Sequence, residues 1–414
     1  MLKNLFNEFP VHSKQDWEEQ IAKDLKVRAK EDVIETSEDG LRIQPDYADR
    51  PTSIAQSFRK KNQWYISSEI GADRTNQDVL NALGGGCNSL LVHTTQNSNL
   101  EHLFANVMLD IIDCTIIHHG TSTVDIEREL DQYLEACYDK TVNTRVICDP
   151  FEEGPGLTVI PKNIFINAAH YRNAGSTASE EISIALAHLT EVLTHTPDYI
   201  HIQLGIGLDY FGELAKFRAF RLLVQQVITE FNWTGEIRVS AIPSTYYLST
   251  KEVNNNLLRL STMAMSAVLG GCDQLVPVSH DLTDDQSSER TARNIQHIMT
   301  EEVHLSKISD PASGAFFIET LTAELSQLAW RKFQKIELDG GFLSFLESGK
   351  LQEQLEKSNG KRVKQFRTLD KTMLGVNKHV MKESGAASFE GLSWNGIKSR
   401  NLSEEIGKGE LNET

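Results

Sequence analysis

From about residue 73 the chain alternates two textures: amphipathic stretches with apolar positions three and four apart, and short apolar runs rich in β-branched residues. That alternation predicts βαβ units on a parallel sheet. The runs are Asn88 to Thr95, Cys114 to His119, Asn143 to Cys148, Asn163 to His170, Tyr199 to Gly205, Glu236 to Ala241, Cys272 to Ser279 and Met373 to Lys378, eight candidate strands. Between them, Thr177 to Leu193 carries Ile182, Ala185, Leu186, Leu189 and Leu193, and Glu213 to Ile228 carries Leu214, Phe217, Phe220, Leu223 and Val227. Each set makes one buried stripe on a helix. Two further helical patterns, Leu321 to Leu338 and Phe342 to Lys357, precede the last run.

Eight strands with interleaved helices fit a closed (β/α)8 TIM barrel or an open doubly wound sheet. The barrel is the better reading, because no strand-to-helix turn carries a G-x-G-x-x-G phosphate loop. Gly84-Gly85-Gly86 comes before a strand and reads as a helix end. The expected organisation is an N-terminal extension over residues 1–70 with a short helical pattern around Trp17 to Leu25, the barrel over 71–380, and a polar C-terminal tail over 381–414.

Composition then removes whole classes of function. The 41 Lys and Arg against 58 Asp and Glu leave a net charge of −17, a field that repels nucleic-acid backbones and anionic lipid. No apolar run reaches the roughly 18 residues of a membrane span. Cys87, Cys114, Cys137, Cys148 and Cys272 are scattered without a C-x-x-C pair, so they read as free buried thiols in a reducing, cytoplasmic setting.

In a barrel the chemistry lies at the carboxyl ends of the strands. One strand ends in His170-Tyr171-Arg172-Asn173-Ala174-Gly175, a titratable ring, a phenol and a fixed cation beside a small-residue turn; the plainer reading is a lead into a helix capped by Thr177 and Glu180. His118 and His119 are adjacent on a strand and face opposite sides, so they do not chelate one metal together. The glycines of Gly205-Ile206-Gly207 read as tight packing, and Glu213, Lys216 and Arg218 fit a solvated helix face as well as they fit catalysis. Asn254 to Asn256 and Asp281 to Asp285 read as turns and caps. No G-x-S-x-G elbow occurs.

His170 with Ala174-Gly175, Gly205-Ile206-Gly207 with Phe211 and Glu213, and Asn255-Asn256 with Arg259, taken in that order, resemble the acyl-CoA mutase barrel of the methylmalonyl-CoA mutase family. Trp17, Ile21 and Asp24-Leu25-Lys26 look like its N-terminal helix, and His170 with Ala174-Gly175 looks like its His-x-Gln-Glu-Ala-Gly turn. Gly205-Ile206-Gly207 with Phe211, Glu213, Ala215-Lys216 and Arg218-Ala219 is similar to a strand-helix block. The most specific run is Asn255-Asn256 with Arg259, Ala267 to Gly271, Ala292-Arg293-Asn294 with Gln296, Glu301-Glu302, Asp310-Pro311 with Gly314, then Glu319, Gly340-Gly341 and Gly375 to Lys378.

The departures shape what the resemblance implies. Ser240 falls where catalytic members have a His that contacts the acyl-CoA carbonyl, Arg172 where they have Gln, Val276 where they have His, and Ser67 and Glu69 where they have Arg and Tyr. The chain contains no Asp-x-His-x-x-Gly, the cobalt-ligating motif. His170, Arg172, Ser240 and Val276 are therefore expected to mark a degenerate substrate pocket with no catalytic residue and no metal. The resemblance implies a small, non-catalytic subunit that binds no cofactor itself. Its partner would be a large subunit carrying adenosylcobalamin, and the heterodimer would interconvert (R)-methylmalonyl-CoA and succinyl-CoA. Two alternatives stand beside it: the catalytic barrel half of a split mutase that uses a separate cobalamin subunit, and a barrel that binds a regulatory acyl-CoA through Arg172.

Overall fold

The computed structural model describes residues 12–25, 33–47, 62–120, 123–138, 142–152, 161–283, 285–380, 387, 389 and 391–408. Helix α1 (Lys14–Asp24) and a hairpin of β1 (Glu35–Thr36) and β2 (Arg42–Ile43) come first. Eight parallel strands follow: β3 (Tyr65–Ile70), β4 (Ser89–Thr94), β5 (Asp113–His118), β6 (Thr144–Ile147), β7 (Asn163–Asn167), β8 (Tyr199–Ile206), β9 (Glu236–Pro243) and β10 (Gln274–Leu275). Their spatial order is β6-β5-β4-β3-β10-β9-β8-β7. A parallel bridge between Cys148 and Ile164 joins the two ends, so the sheet is a barrel.

The helices lie between and after the strands. They are α2 (Asn76–Gly84), α3 (Leu100–Leu103), α4 (Val124–Cys137), α5 (Ala169–Asn173), α6 (Ala178–Leu193), α7 (Tyr210–Glu230), α8 (Asn255–Gly270), α9 (Gln286–His297), α10 (Phe316–Leu338), α11 (Gly341–Glu347) and α12 (Lys350–Arg367). A second hairpin, β11 (Ser393–Trp394) with β12 (Ile397–Lys398), and α13 (Leu402–Gly407) complete the chain. The expected Thr177–Glu180 capping box opens α6, and Gly85 caps α2. Helix α6 is buried on nearly every face because α7, α10 and α11 enclose it against the barrel.

Strand alternation separates two cores. On β8, Ile200, Ile202, Leu204 and Ile206 face outward to the helices and join the large core, while Tyr199 and His201 face the lumen. Leu91, Ile117, Ile147, Phe165, Tyr199 and Val276 meet inside the barrel, all at most 3% exposed. The lumen is a packed core, as is usual for this architecture.

Three expectations need correction. Met373 to Lys378 is a turn, not a strand: Gly375 sits at φ +75°, and the one bridge joins Leu374 to Lys378 within the same segment. The eighth strand is β3, so the barrel begins at Tyr65 instead of residue 71. Its lumen positions are Tyr65, Ser67 and Glu69, polar residues that erase the apolar signature of a buried strand. Finally, Phe342 to Lys357 is two helices, broken at Gly349 with φ +74°. Among the cysteines Cys137 is exposed and the other four are buried and free.

Candidate functional site at the barrel mouth

At the carboxyl end of the barrel, four side chains from neighbouring strands form one hydrogen-bonded line. Glu69 ends β3, His93 lies on β4, His119 follows β5 and Glu152 follows β6. His93 Nε2 is 2.7 Å from Glu69 Oε1, His93 Nδ1 is 2.6 Å from His119 Nε2, and His119 Nδ1 is 2.6 Å from Glu152 Oε1. The ring centres are 5.0 Å apart with planes 8° from parallel. With nitrogens so close, the rings meet edge to edge in nearly one plane, the geometry of an N–H aimed at a lone pair.

The line fixes its own proton inventory. Three gaps need three protons, and with both carboxylates ionised all three must be N–H protons shared by two rings. One ring is then neutral and the other an imidazolium. His119 is the natural holder: the hydrogen bond to Glu152 raises its pKa against the opposing effect of burial. Burial is the largest influence on the Glu69 carboxyl and pushes it up, but the bond to His93 and the neighbouring imidazoles of His93, His170 and His119 together leave it lowered. The line is one-third exposed at Glu69, His119 and Glu152 and so opens on solvent.

Other titratable groups surround it. His118 faces away from the lumen, buried against Thr94 Oγ1 at 3.2 Å, so the opposite-face expectation holds. Burial takes Asp149 up to about 7 and His170 down to about 4. Asp149 accepts a hydrogen bond from Trp394 Nε1 at 2.8 Å, and the His170 ring lies parallel to the Trp394 ring at 6.3 Å between centres. Among the described residues no three His, Cys, Asp or Glu converge as a metal site.

The four positions read from sequence do not form one pocket. His170 and Arg172 lie on α5, but only His170 reaches the mouth. Arg172 is 2% exposed; its Nη1 donates to Ser176 O at 2.6 Å and reaches Glu38 at 3.4 Å, and its Nη2 donates to Glu213 at 2.8 Å. It is thus consumed by the protein and has no exposed N–H for a phosphate. Ser240 is a fully buried lumen residue 2.8 Å from His201 Nε2, and Val276 is part of the lumen packing.

Glu213 and Lys216 are not a solvated face either. Both are buried, and Lys216 Nζ lies 2.5 Å from Glu213 and 2.8 Å from Glu181, whose other oxygen takes the Gly205 amide at 2.6 Å. Arg218 is likewise buried between Asp310 and Glu319. The glycine expectation holds: a Cβ at Gly205 would stand 2.6 Å from Arg172 Cβ, and one at Gly207 2.3 Å from its Nη2. Sequence reading missed His93 and Glu152, and named Glu69 only as a departure from the family's Tyr. His93 ends a candidate strand beside His119, and that pairing of rings across neighbouring strands was the available signal.

A closed parallel barrel with its titratable groups gathered at the carboxyl face defines an α/β-barrel protein. The family model described as Methylmalonyl-CoA mutase matches residues 117–402. The chain belongs to the methylmalonyl-CoA mutase family. It is 28% identical to a methylmalonyl-CoA mutase small subunit of Porphyromonas gingivalis, over 91% of this chain and 71% of that protein. It is 26% identical to a small subunit of Streptomyces virginiae, over 90% and 71%. A large subunit of Porphyromonas gingivalis is 28% identical over 63% of this chain and 39% of its own length. No helix among the described residues is long and apolar enough to cross a membrane.

Proposed function

We propose that the chain is the non-catalytic small subunit of a two-subunit, adenosylcobalamin-dependent methylmalonyl-CoA mutase, and that it serves the large subunit as a folded scaffold. The observation that carries this reading is Ser240. It replaces the His expected to meet the acyl-CoA carbonyl, and its hydroxyl is closed inside the packed lumen against His201. A short buried hydroxyl with its partner already chosen has neither the reach nor the access of an imidazole donor. The similarity to proteins named small subunits, along nine-tenths of the chain, supports the same assignment.

Adenosylcobalamin, in this reading, is held by the partner. It supplies a breakable cobalt–carbon bond that no side chain replaces. The mouth offers it little: His93 and His119 spend all four ring nitrogens on each other, Glu69 and Glu152.

A second reading, the catalytic half of a split mutase, is favoured by one observation, the solvent-facing carboxylate–imidazole line, which is an acid–base apparatus in form. Methylmalonyl-CoA turnover with adenosylcobalamin separates the two. The chain is assayed alone, with a separate cobalamin-binding module, and co-purified with a large subunit. Turnover only in the last arm upholds the scaffold; turnover with the module alone overturns it.

A further inference from the structure

The hairpin β1–β2, α10 and α12 enclose a cleft of about 660 Å³ on the outer flank of the barrel, within the size range of small-molecule sites. On a chain of net charge −17 its lining stands out, with six cations against five acids. Four of those acids are already engaged. Glu38 is taken by Arg362 and Arg172, Asp39 by the Ser179 amide at 3.0 Å, Glu180 by the Thr177 amide at 2.9 Å and Ser358 at 2.8 Å, and Asp339 by Lys350 at 3.2 Å. Lys335, Lys357 and Lys361 have no acidic partner among the described residues. They are exposed, while Ile336 and Phe345 give the cleft buried apolar walls.

A second feature points the same way. Helix α12 is 18 residues long and begins after Gly349, whose side chain offers no cap, so its first-turn amides have no side-chain acceptor. Lys350 and Glu353 of that turn line the cleft. Uncapped amides and the positive end of the helix dipole favour an anion there. From Lys350 to Lys361 the helix rises roughly 16 Å, the span of several linked phosphate and sugar groups.

We propose that this cleft binds a phosphate-bearing organic anion of the nucleoside diphosphate class, held by Lys335, Lys357 and Lys361 and by the first turn of α12. The site is separate from the barrel mouth and does not depend on a large subunit. Arg172, the cation singled out in the sequence for anion binding, lies sealed behind Glu38.

The test is calorimetric titration of the full chain with ADP and with inorganic pyrophosphate at low salt. It is repeated on the exposed double variant Lys357→Glu/Lys361→Glu and on Lys162→Glu, a lysine 84% exposed outside the cleft. Saturable one-to-one binding of ADP that weakens with salt, falls at least about tenfold in the double variant and persists in Lys162→Glu is the expected result. Pyrophosphate binding as tightly as ADP would reduce the ligand to a bare diphosphate and overturn the nucleoside part. No saturable binding, or equal loss in both variants, would overturn the site. Circular dichroism on each variant confirms that the fold is intact before a loss is scored.

Discussion

At the scale of single residues, Glu38 is the most heavily committed carboxylate outside the barrel. Arg362 reaches it with Nε at 3.0 Å and Nη2 at 2.9 Å, Arg172 lies 3.4 Å away, and Tyr247 donates at 3.1 Å. Burial pushes its pKa up, yet Arg362 and then Arg172 hold it down to about 2. Replacing Glu38 by Gln leaves two buried guanidinium groups short of a counter-charge and should cost about 3–5 kcal/mol at neutral pH, read from urea unfolding. A depressed carboxylate stabilises the fold above its ordinary value of 4.5, and that stability drains as the pH falls toward about 2. The gap between wild type and variant should therefore narrow over that window; a gap unchanged by acid would refute the assignment. The mouth has the opposite sign. His119 is raised above 6.5, so its contribution is full below that value and is lost as the pH rises through the raised one. Nitrogen-15 NMR of labelled histidine should find His119 losing its proton above the ordinary 6.5, and Glu152→Gln should lower the pH at which it does so. Single residues were the least legible scale in the sequence. Arg172 reads as a cation open to an anionic ligand and Lys216 as an ordinary surface charge, and only tertiary packing reveals that both are buried.

Among elements, the glycine-bearing end of β8 shows how closely helix and strand approach. A methyl group at Gly207 would meet Arg172 Nη2 and, at 2.6 Å, Glu213 Oε1. Gly207→Ala should thus break a buried ion pair as well as overpack the site. We expect a loss of at least about 1–3 kcal/mol in urea unfolding, and a loss near zero would mean that Arg172 can swing aside. Helices α6, α7 and α10 and six of the eight barrel strands were legible from period alone, because each presents an apolar face to one layer. The short β10, only Gln274–Leu275, sits inside a longer apolar run that marked it too generously. β3 was not legible, since Ser67 and Glu69 serve a polar interior: Ser67 Oγ accepts from Gln274 Nε2, which also reaches Ser89, itself bonded to Asp113. The Met373 to Lys378 run misled because Leu374, Val376 and flanking residues mimic a strand around a glycine that only a turn can use.

For the whole molecule, the sealed lumen predicts that restoring one family residue will not restore chemistry. Ser240→His must fit an imidazole beside His201 in a space with no exposed surface, and overpacking of this sort costs about 1–3 kcal/mol. Assayed together with the large subunit proposed above, that variant should show a lowered unfolding midpoint and no gain in turnover; a gain would mean that the lumen opens to substrate. The family and the barrel were readable from the order of motifs, while the mouth line was not, because its members are spread from residue 69 to 152 and meet only when the strands close.

The barrel is unevenly fastened. Among the described residues the ring is closed between β6 and β7 by a single bridge, Cys148 to Ile164, and by the Phe165 amide on Cys148 O at 2.8 Å. The late hairpin spans that seam: on the β6 side Trp394 Nε1 donates to Asp149 and Asn395 Nδ2 to Phe151 O at 2.5 Å, and on the β7 side the Trp394 ring packs on Tyr171 with 5.6 Å between centres. A hoop with one clasp opens at the clasp. Hydrogen exchange should therefore begin at Cys148 and Phe165, well ahead of the amides of β8 and β9, and Trp394→Ala should quicken those two sites selectively. The staple that sets how often the ring breathes lies more than two hundred residues downstream of the strands it holds together.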